Sequence, residues 1–400
     1  MLQVFRVQSC QSGVIQVEIM MKYQAAELAL KLLLKGIRYR YLKRRGKPGM
    51  PQAVSLELTH NCIAKCVMCN IWRIPGEEPE LACDDWLKLL SGKLLSDVRE
   101  LDITGGEPFL LDDIDVLFSG ICDLKKSSLK LLQSAAVTTN GFLTGRVLEK
   151  TETILQAFSR AGLDLVVVCA MDAIGKIHEK IRNVKDAWQR ADATINGLLK
   201  LRDKYPNLII GLKTTILPVN TKELGNVSRY ADDRKLFTIV SPCIVTEGRY
   251  LNRDMEKNLM FSEKDKENMI RFFRGDRFKW SFHAESLAGY LETGKIKKPC
   301  SCGFNYFFIR STGEVFLCPL INRSMGNIRN ESIEDIFLSE NAKAFRKKAG
   351  DFKECKACTE PGLERYALPY EGFTYLGMLL KYGVNKFLRL HDHLGLKKYL

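Results

Sequence analysis

Six times between residues 53 and 242, a short run of aliphatic and β-branched residues gives way to a longer stretch with helical spacing, and that alternation limits the fold more than anything else in the 400 residues. Strands are expected at residues 53–59, 100–104, 130–140, 164–172, 208–217 and 235–242, with amphipathic helices between them, for example at 112–125, 146–161, 187–204 and 221–233. Successive β/α units imply a parallel sheet joined by right-handed crossovers. Periodicity does not choose between an open doubly wound sheet and a barrel. In both, ligands gather at the C-terminal ends of the strands.

The chemistry-bearing residues fall at those ends. The stretch "LTHNCIAKCVMCNIW" follows the first strand and puts Cys62, Cys66 and Cys69 within eight residues; "GGEP" (105–108) follows the second strand, and "TTNG" (138–141) ends the third. The first 21 residues lack a charged start, a long apolar run and a small-residue cleavage site, so the chain reads as cytoplasmic. In a reducing compartment thirteen cysteines, an odd number, are poor material for disulfides, and the clustered ones read as metal ligands. Cys10, Cys83, Cys122, Cys169 and Cys243 stand alone and read as small buried hydrophobes. Four thiolates would close a structural metal site, whereas three from one loop hold three irons of a cubane and leave the fourth open, as catalysis requires. A zinc site completed by His60 or a remote cysteine would leave "GGEP" and the strand order unexplained.

This C-x3-C-x2-C spacing, in this context, resembles the signature of the radical S-adenosylmethionine (radical SAM) superfamily, and the resemblance runs from about residue 53 to about residue 365. It implies a partial (β/α)6 TIM-type barrel with a [4Fe–4S] cluster on Cys62, Cys66 and Cys69. S-adenosylmethionine, bound at the open iron, would be cleaved reductively to a 5′-deoxyadenosyl radical that abstracts hydrogen from a substrate. The resemblance also implies that Gly105 and Gly106 let backbone approach the methionine amino group, that Glu107 accepts from it, that Met68 lies against the adenine and that Asn140 points into the site. The stretch "VCAMDAIGKIHEKIRN" is similar to the family's fourth-strand pattern and makes Arg182 a partner for the S-adenosylmethionine carboxylate; Ala170 departs from the usual serine. No catalytic side chain is nominated. The electron would come from a reductant such as flavodoxin or ferredoxin.

The C-terminal third carries a second constellation, Cys300, Cys302, Cys318, Cys355 and Cys358, in "KPCSCGFNYFFIRSTGEVFLCPL" and "FKECKACTE". Residues 305–319 read as a β-hairpin with "STG" at its middle, returning Cys318 beside Cys300, and the amphipathic stretch 332–348 leads to the C-x2-C pair. This is similar to the SPASM and Twitch extensions of radical SAM enzymes. The three further cysteines of a full SPASM module do not follow Cys358. The Twitch form, with one auxiliary [4Fe–4S] cluster on Cys300, Cys318, Cys355 and Cys358 and with Cys302 as a bystander, is therefore expected. Zinc on the same four thiols remains an alternative, since C-x2-C pairs do not distinguish the metals.

The net charge of +14 belongs to the ends of the chain. Residues 22–47 hold nine basic residues against Glu27, and residues 376–400 hold five against Asp392, leaving +2 for residues 48–375. A body so nearly neutral does not suit a phosphate backbone, and no nucleic-acid partner is expected. Within "AAELALKLLLKGIRYRYLKRR", Leu30, Leu33, Leu34, Ile37 and Tyr41 share one helical face and Lys31, Lys35, Arg38 and Arg45 another, a pattern suited to peripheral contact with an anionic membrane. A helix packed across the barrel with a solvated basic face gives the same pattern. The expected organisation is a basic amphipathic segment (1–50), the radical SAM core (51–280), the auxiliary-cluster domain (281–365) and a basic tail (366–400). The substrate, a peptide or protein, a lipid or a small molecule, is not identified by sequence. The alternatives are a cofactor-biosynthetic enzyme similar to GTP 3′,8-cyclase and a non-catalytic iron–sulfur electron carrier.

Overall fold

Every expected strand forms. Helix α1 (Val4–Arg45) leads to β1 (Ala53–Glu57), and the chain then alternates through α2 (Cys83–Leu90), β2 (Glu100–Thr104), α3 (Ile114–Lys126), β3 (Ser134–Thr139), α4 (Thr144–Ala161), β4 (Asp164–Ala170), α5 (Lys176–Arg182), α6 (Ala187–Lys204), β5 (Leu208–Ile216), α7 (Leu224–Asp233) and β6 (Phe237–Pro242). This computed structural model describes residues 4–74, 79–395, 398 and 399; Lys397 and the side chains of Cys10 and Lys22 lie outside the described residues. Strands β1 to β6 pair in parallel with their sequence neighbours, the helical connections lying between them. Among the described residues β6 pairs only with β5, so the sheet is a partial barrel and not a closed one.

Strand alternation decides which side chains meet the helices and which face the lumen. Val54 and Leu56, Leu101 and Ile103, Ala135 and Val137, and Leu165 and Val167 join one large core with the surrounding helices. Their neighbours Ser55, Asp102, Thr104, Ala136, Thr138, Val166 and Val168 line a cavity of about 980 Å³ inside the sheet. A one-residue slip in any strand would exchange these two sets, so burial of both faces fixes the register.

After β6 come α8 (Glu256–Leu259), α9 (Glu263–Phe273) and α10 (Phe282–Thr293), then β7 (Tyr306–Ile309), β8 (Glu314–Phe316) and β9 (Ser324–Asn327). The hairpin read from residues 305–319 is β7–β8, antiparallel with Phe308 opposite Phe316 and Gly313 in a positive-φ turn. It joins the barrel sheet itself, since β7 pairs in parallel with β1, Leu56 opposite Ile309. Helices α11 (Ile333–Leu338) and α12 (Glu340–Lys347) cover it, and α13 (Ala367–Glu371), α14 (Phe373–Tyr382) and α15 (Val384–His391) follow.

Lys398 and Tyr399 enter the structure and leave the basic surface. Tyr399, 1% exposed, donates its hydroxyl to Glu100 Oε2 at 3.0 Å, and Lys398 Nζ reaches Ser134 Oγ at 2.8 Å, both at the N-terminal ends of strands. Lys35 donates to the Tyr399 carbonyl, and burial lowers its pKa to about 8. It therefore does not share the outward basic face expected for it.

Candidate active site

The loop after β1 is clamped by the turn after β2. Gly106 N–H donates to the Thr59 carbonyl at 2.7 Å and Glu107 N–H to the Asn61 carbonyl at 2.8 Å. A Cβ on Gly106 would stand 2.1 Å from Asn61 O, and one on Gly105 2.6 Å from Thr59 O. The two glycines are therefore required where the two loops touch, at the base of the cysteine loop. Behind it, fully buried Glu57 meets His60 Nε2 at 2.8 Å, Arg249 Nη1 at 3.8 Å and Arg310 Nε at 3.9 Å.

Cys62, Cys66 and Cys69 sit above this clamp, half-buried. Backbone N–H groups of Ala64 and Ile71 serve the Cys62 and Cys69 sulfurs, Asn140 Nδ2 approaches Cys62 Sγ at 4.0 Å, and Arg182 Nη1 donates toward Cys66 Sγ at 3.7 Å. Burial pushes the Cys62 thiol up to about 11 and Cys69 to about 12, and raises Cys66 as well. Thiols in this setting become thiolates when a metal group supplies the compensating charge. N–H donors aimed at three sulfurs, with the Arg182 and Arg249 guanidinia nearby, form a donor set that fits an iron–sulfur cluster. Among the described residues no three His, Cys, Asp or Glu side chains converge on a point that would hold a single ion.

Around the loop, the nominated residues come together but not all in the expected postures. Glu107, with no exposed surface, accepts from Thr139 Oγ1 at 2.9 Å, Phe109 N–H at 3.2 Å and Asn140 N–H at 2.7 Å, while burial pushes its pKa to about 7. In this structure its immediate task is to tie the "GGEP" turn to the end of β3. Asn140 Oδ1 caps Phe142 N–H at 2.9 Å, leaving its amide nitrogen to face Cys62. Met68 packs with Ile181, Leu217 and Leu259. Arg182 pairs through Nη2 with Asp172 Oδ2 at 2.7 Å.

Several neighbours of the site are not among the residues expected from the sequence. Asp172, fully buried at the end of the β4 run, lies inside the fourth-strand stretch and holds Arg182. Asn252 joins the loop after β6 to the cysteine loop, its amide donating to Met68 O at 2.8 Å and Ile244 O at 3.1 Å. Asn70 closes the same seam by donating its backbone N–H to Tyr250 O at 2.8 Å and its side chain to Leu251 O at 2.9 Å. Leu251 holds a φ of 47°, a left-handed conformation uncommon for a bulky residue and tolerated where surrounding bonds fix it. Cys122 and Cys169 are buried as expected, whereas Cys83 and Cys243 are only half-buried, and Cys243 shares an apolar cluster with Met68 and Cys66 and lies beside Cys69.

The second cysteine set lines a cavity of about 160 Å³. All five sulfur-bearing residues, Cys300, Cys302, Cys318, Cys355 and Cys358, border it, and the Cys302 thiol hydrogen-bonds both Cys300 and Cys318. Position in the pocket thus does not set Cys302 apart as a bystander. Half-buried Lys298 hydrogen-bonds Cys358 and donates to Glu360 O at 3.0 Å; N–H groups of Gly350 and Glu360 serve Cys355 and Cys358. Four or five thiols with these donors fit an iron–sulfur cluster.

The two cavities adjoin. Tyr306, Pro319, Glu360 and Tyr366 line both, and the two tyrosine rings stack with centroids 4.6 Å apart and planes 15° from parallel. Tyr306 donates its hydroxyl to Ser55 Oγ at 3.0 Å, and Ser55 to Asp102 Oδ2 at 2.7 Å, carrying the polar chain into the barrel lumen. Residues 56–229 match the family model of the radical SAM superfamily, and residues 300–359 match that of SPASM, an iron–sulfur cluster-binding domain.

The chain is a radical SAM enzyme with a SPASM domain. A radical SAM core binds a [4Fe–4S] cluster and S-adenosylmethionine, and a SPASM domain binds auxiliary iron–sulfur clusters. Among radical SAM relatives, the sporulation killing factor maturation protein SkfB of Bacillus subtilis (strain 168) is 22% identical over 324 residues, covering 80% of this chain and 72% of the relative. The antilisterial bacteriocin subtilosin biosynthesis protein AlbA, from the same organism, is 22% identical over 293 residues, 72% of this chain and 60% of its own. In fold, the crystal structure of Streptococcus suis SuiB bound to precursor peptide SuiA superposes with a TM-score of 0.53 at 14% identity, covering 87% of this chain and 77% of that one.

Proposed function

We propose that this radical SAM enzyme modifies a peptide held in the barrel lumen between two clusters. Cys62, Cys66 and Cys69 would hold the first, and Cys300, Cys318, Cys355 and Cys358 a single auxiliary cluster of the Twitch kind, with Cys302 in reserve. The observation that carries this reading is the wall shared by the two cavities, where Tyr306, Pro319, Glu360 and Tyr366 face both the lumen and the second cysteine set. Arg249, whose charge acts on Cys69, lines the same lumen, so a substrate there lies between the second cysteine set and the neighbourhood of the first. The peptide class is supported by the relatives, two named for maturation of a killing factor and biosynthesis of a bacteriocin and one seen with a precursor peptide bound.

The chemistry supplied at the first site, when the group is bound and reduced, is one-electron cleavage of S-adenosylmethionine into methionine and a 5′-deoxyadenosyl radical. The residues of the chain position and enclose. Gly105 and Gly106 seat the cysteine loop, Arg182 presents a guanidinium held by Asp172 for the S-adenosylmethionine carboxylate, Asn140 faces Cys62 and Met68 packs beside Cys66. Thr104, Thr138 and Val168 wall the lumen and exclude water from a radical that would otherwise be quenched. The electron donor is a low-potential protein such as flavodoxin or ferredoxin, and the enzyme is cytoplasmic with peripheral membrane contact through its basic N-terminal helix. Loaded enzyme incubated with deuterated candidate peptides tests the reading: deuterium should appear in 5′-deoxyadenosine. Transfer from a non-peptide substrate alone would replace the peptide class.

A further inference from the structure

Helix α1 has two apolar faces, and the fold uses one. Leu28 and Leu32 pack with Tyr375, Met378 and Leu379, and Tyr39 and Leu42 with Phe304 and Ala349. Gly36 lies so close to Phe373 that a Cβ would stand 2.6 Å from its ring. The Tyr39 hydroxyl donates to the Cys300 carbonyl, and Arg346 Nε donates to Gly46 O at 2.8 Å. These contacts fix residues 28–46 on the body of the enzyme.

The other face is left in solvent. Leu30, Leu34, Ile37 and Tyr41 are 53–55% exposed and Leu33 38%. At about 100° per residue, this stripe is centred about 180° around the helix from the packed one. Lys31, Arg38 and Arg45 border it on one side and Arg40 on the other, and Arg44 lies at its C-terminal end. Glu27 is the one acid in residues 25–47, and it is paired with Lys31 at 2.9 Å. A stripe of five large apolar side chains rimmed by cations, on a helix already anchored by its opposite side, stays exposed among the described residues. Among the described residues no helix is long and apolar enough to cross a membrane.

We infer that the outward stripe of α1 docks the enzyme on an anionic lipid surface, with Leu30, Leu33, Leu34, Ile37 and Tyr41 entering the interface and the flanking Lys and Arg side chains meeting acidic headgroups. Charge selects lipid over a second copy of the chain. Two such faces brought together would oppose their cationic rims with only Glu27, already paired with Lys31, to offset them, whereas an anionic leaflet offers a partner to the remaining cations. The inference deepens the peripheral-membrane part of the reading above and is independent of its chemistry, because binding is measured without turnover.

The test uses the full chain with its clusters reconstituted, sedimented with vesicles of phosphatidylcholine alone or containing about 30% phosphatidylserine. Binding should be at least ten-fold stronger to the anionic vesicles and should fall as salt shortens the screening length from about 10 Å at 0.1 M to about 3 Å at 1 M. The double variant Leu34→Glu, Ile37→Glu, at two exposed positions, should lose binding ten-fold or more while retaining the parent rate of S-adenosylmethionine cleavage. Equal binding to both vesicles, or none to either, overturns the inference. So does a concentration-dependent dimer in sedimentation velocity that the double variant abolishes, which would assign the stripe to a second copy. Loss of S-adenosylmethionine cleavage in the parent with vesicle binding intact would strike the catalytic reading instead.

Discussion

Arg182 Nη2 stands 2.7 Å from Asp172 Oδ2 while its Nη1 donates toward Cys66 Sγ at 3.7 Å, so one guanidinium links a buried strand-end carboxylate to a candidate iron ligand. Asp172→Asn removes half of a buried pair and leaves Arg182 uncompensated, a change that typically costs about 3–5 kcal/mol. A carboxylate supplied by S-adenosylmethionine would restore part of that loss. Anaerobic denaturation of the loaded protein should therefore show a larger stabilisation by S-adenosylmethionine in Asp172→Asn than in the parent. Equal stabilisation of the two would mean that Arg182 does not meet the cofactor's carboxylate.

Gly106→Ala places a Cβ 2.1 Å from the Asn61 carbonyl, a contact with backbone that no rotamer change relieves. Overpacking of this kind costs about 1–3 kcal/mol. Because the displaced atoms belong to the base of the cysteine loop, the first cluster should suffer more than the second. Iron analysis of reconstituted Gly106→Ala should give about four irons per chain against about eight in the parent, with the auxiliary spectrum retained.

Much of this architecture was legible in the chain because periodicity and spacing are local properties. The strand expected at residues 100–104 and the helix expected at 187–204 form with those same bounds, since buried runs and amphipathic stretches report their own geometry. Pairing is not local. That β7 would extend the barrel sheet beside β1 depends on contacts between residues some 250 apart. The C-terminal residues show the same limit: Lys398 reads as one more surface cation, and only the fold brings it to Ser134. At the site, the cysteines and glycines stood out through fixed spacing. Asn252 and Arg249, on the loop after β6, act through bonds to Met68 O and Thr104 Oγ1 that leave no trace in composition.

On the proposed reading, Cys302 and Cys300 compete for one ligand position. The assignment from spacing makes Cys300 the ligand, so Cys302→Ser should keep about eight irons per chain and Cys300→Ser should lose iron or change the auxiliary cluster's spectrum. The reverse outcome exchanges their roles. Cys302 lies in hydrogen-bond contact with both Cys300 and Cys318, close enough to substitute without rebuilding the pocket.

Glu364 makes stability depend on pH. Buried and accepting from Ser281 Oγ at 3.0 Å and His283 N–H at 2.7 Å, its carboxyl is pushed by burial from 4.5 to about 7. Its folded-state pKa is above the unfolded one, so the folded protein binds more protons between about 4.5 and about 7 and loses stability as pH rises through that window. Burial of the ionised form costs about 3 kcal/mol above it. Glu364→Gln should therefore gain stability relative to the parent at pH 8 and gain least near pH 4.5, measured by urea denaturation across that range. A difference independent of pH would contradict the assignment.

The central claim is that Cys62, Cys66 and Cys69 together hold the cluster that cleaves S-adenosylmethionine. Its direct measurement is 5′-deoxyadenosine formed by anaerobically reconstituted, reduced protein. The parent should produce it, and alanine at any one of the three cysteines should abolish it while the auxiliary cluster's iron and spectrum remain. A single variant that still cleaves S-adenosylmethionine at the parent rate would contradict the account.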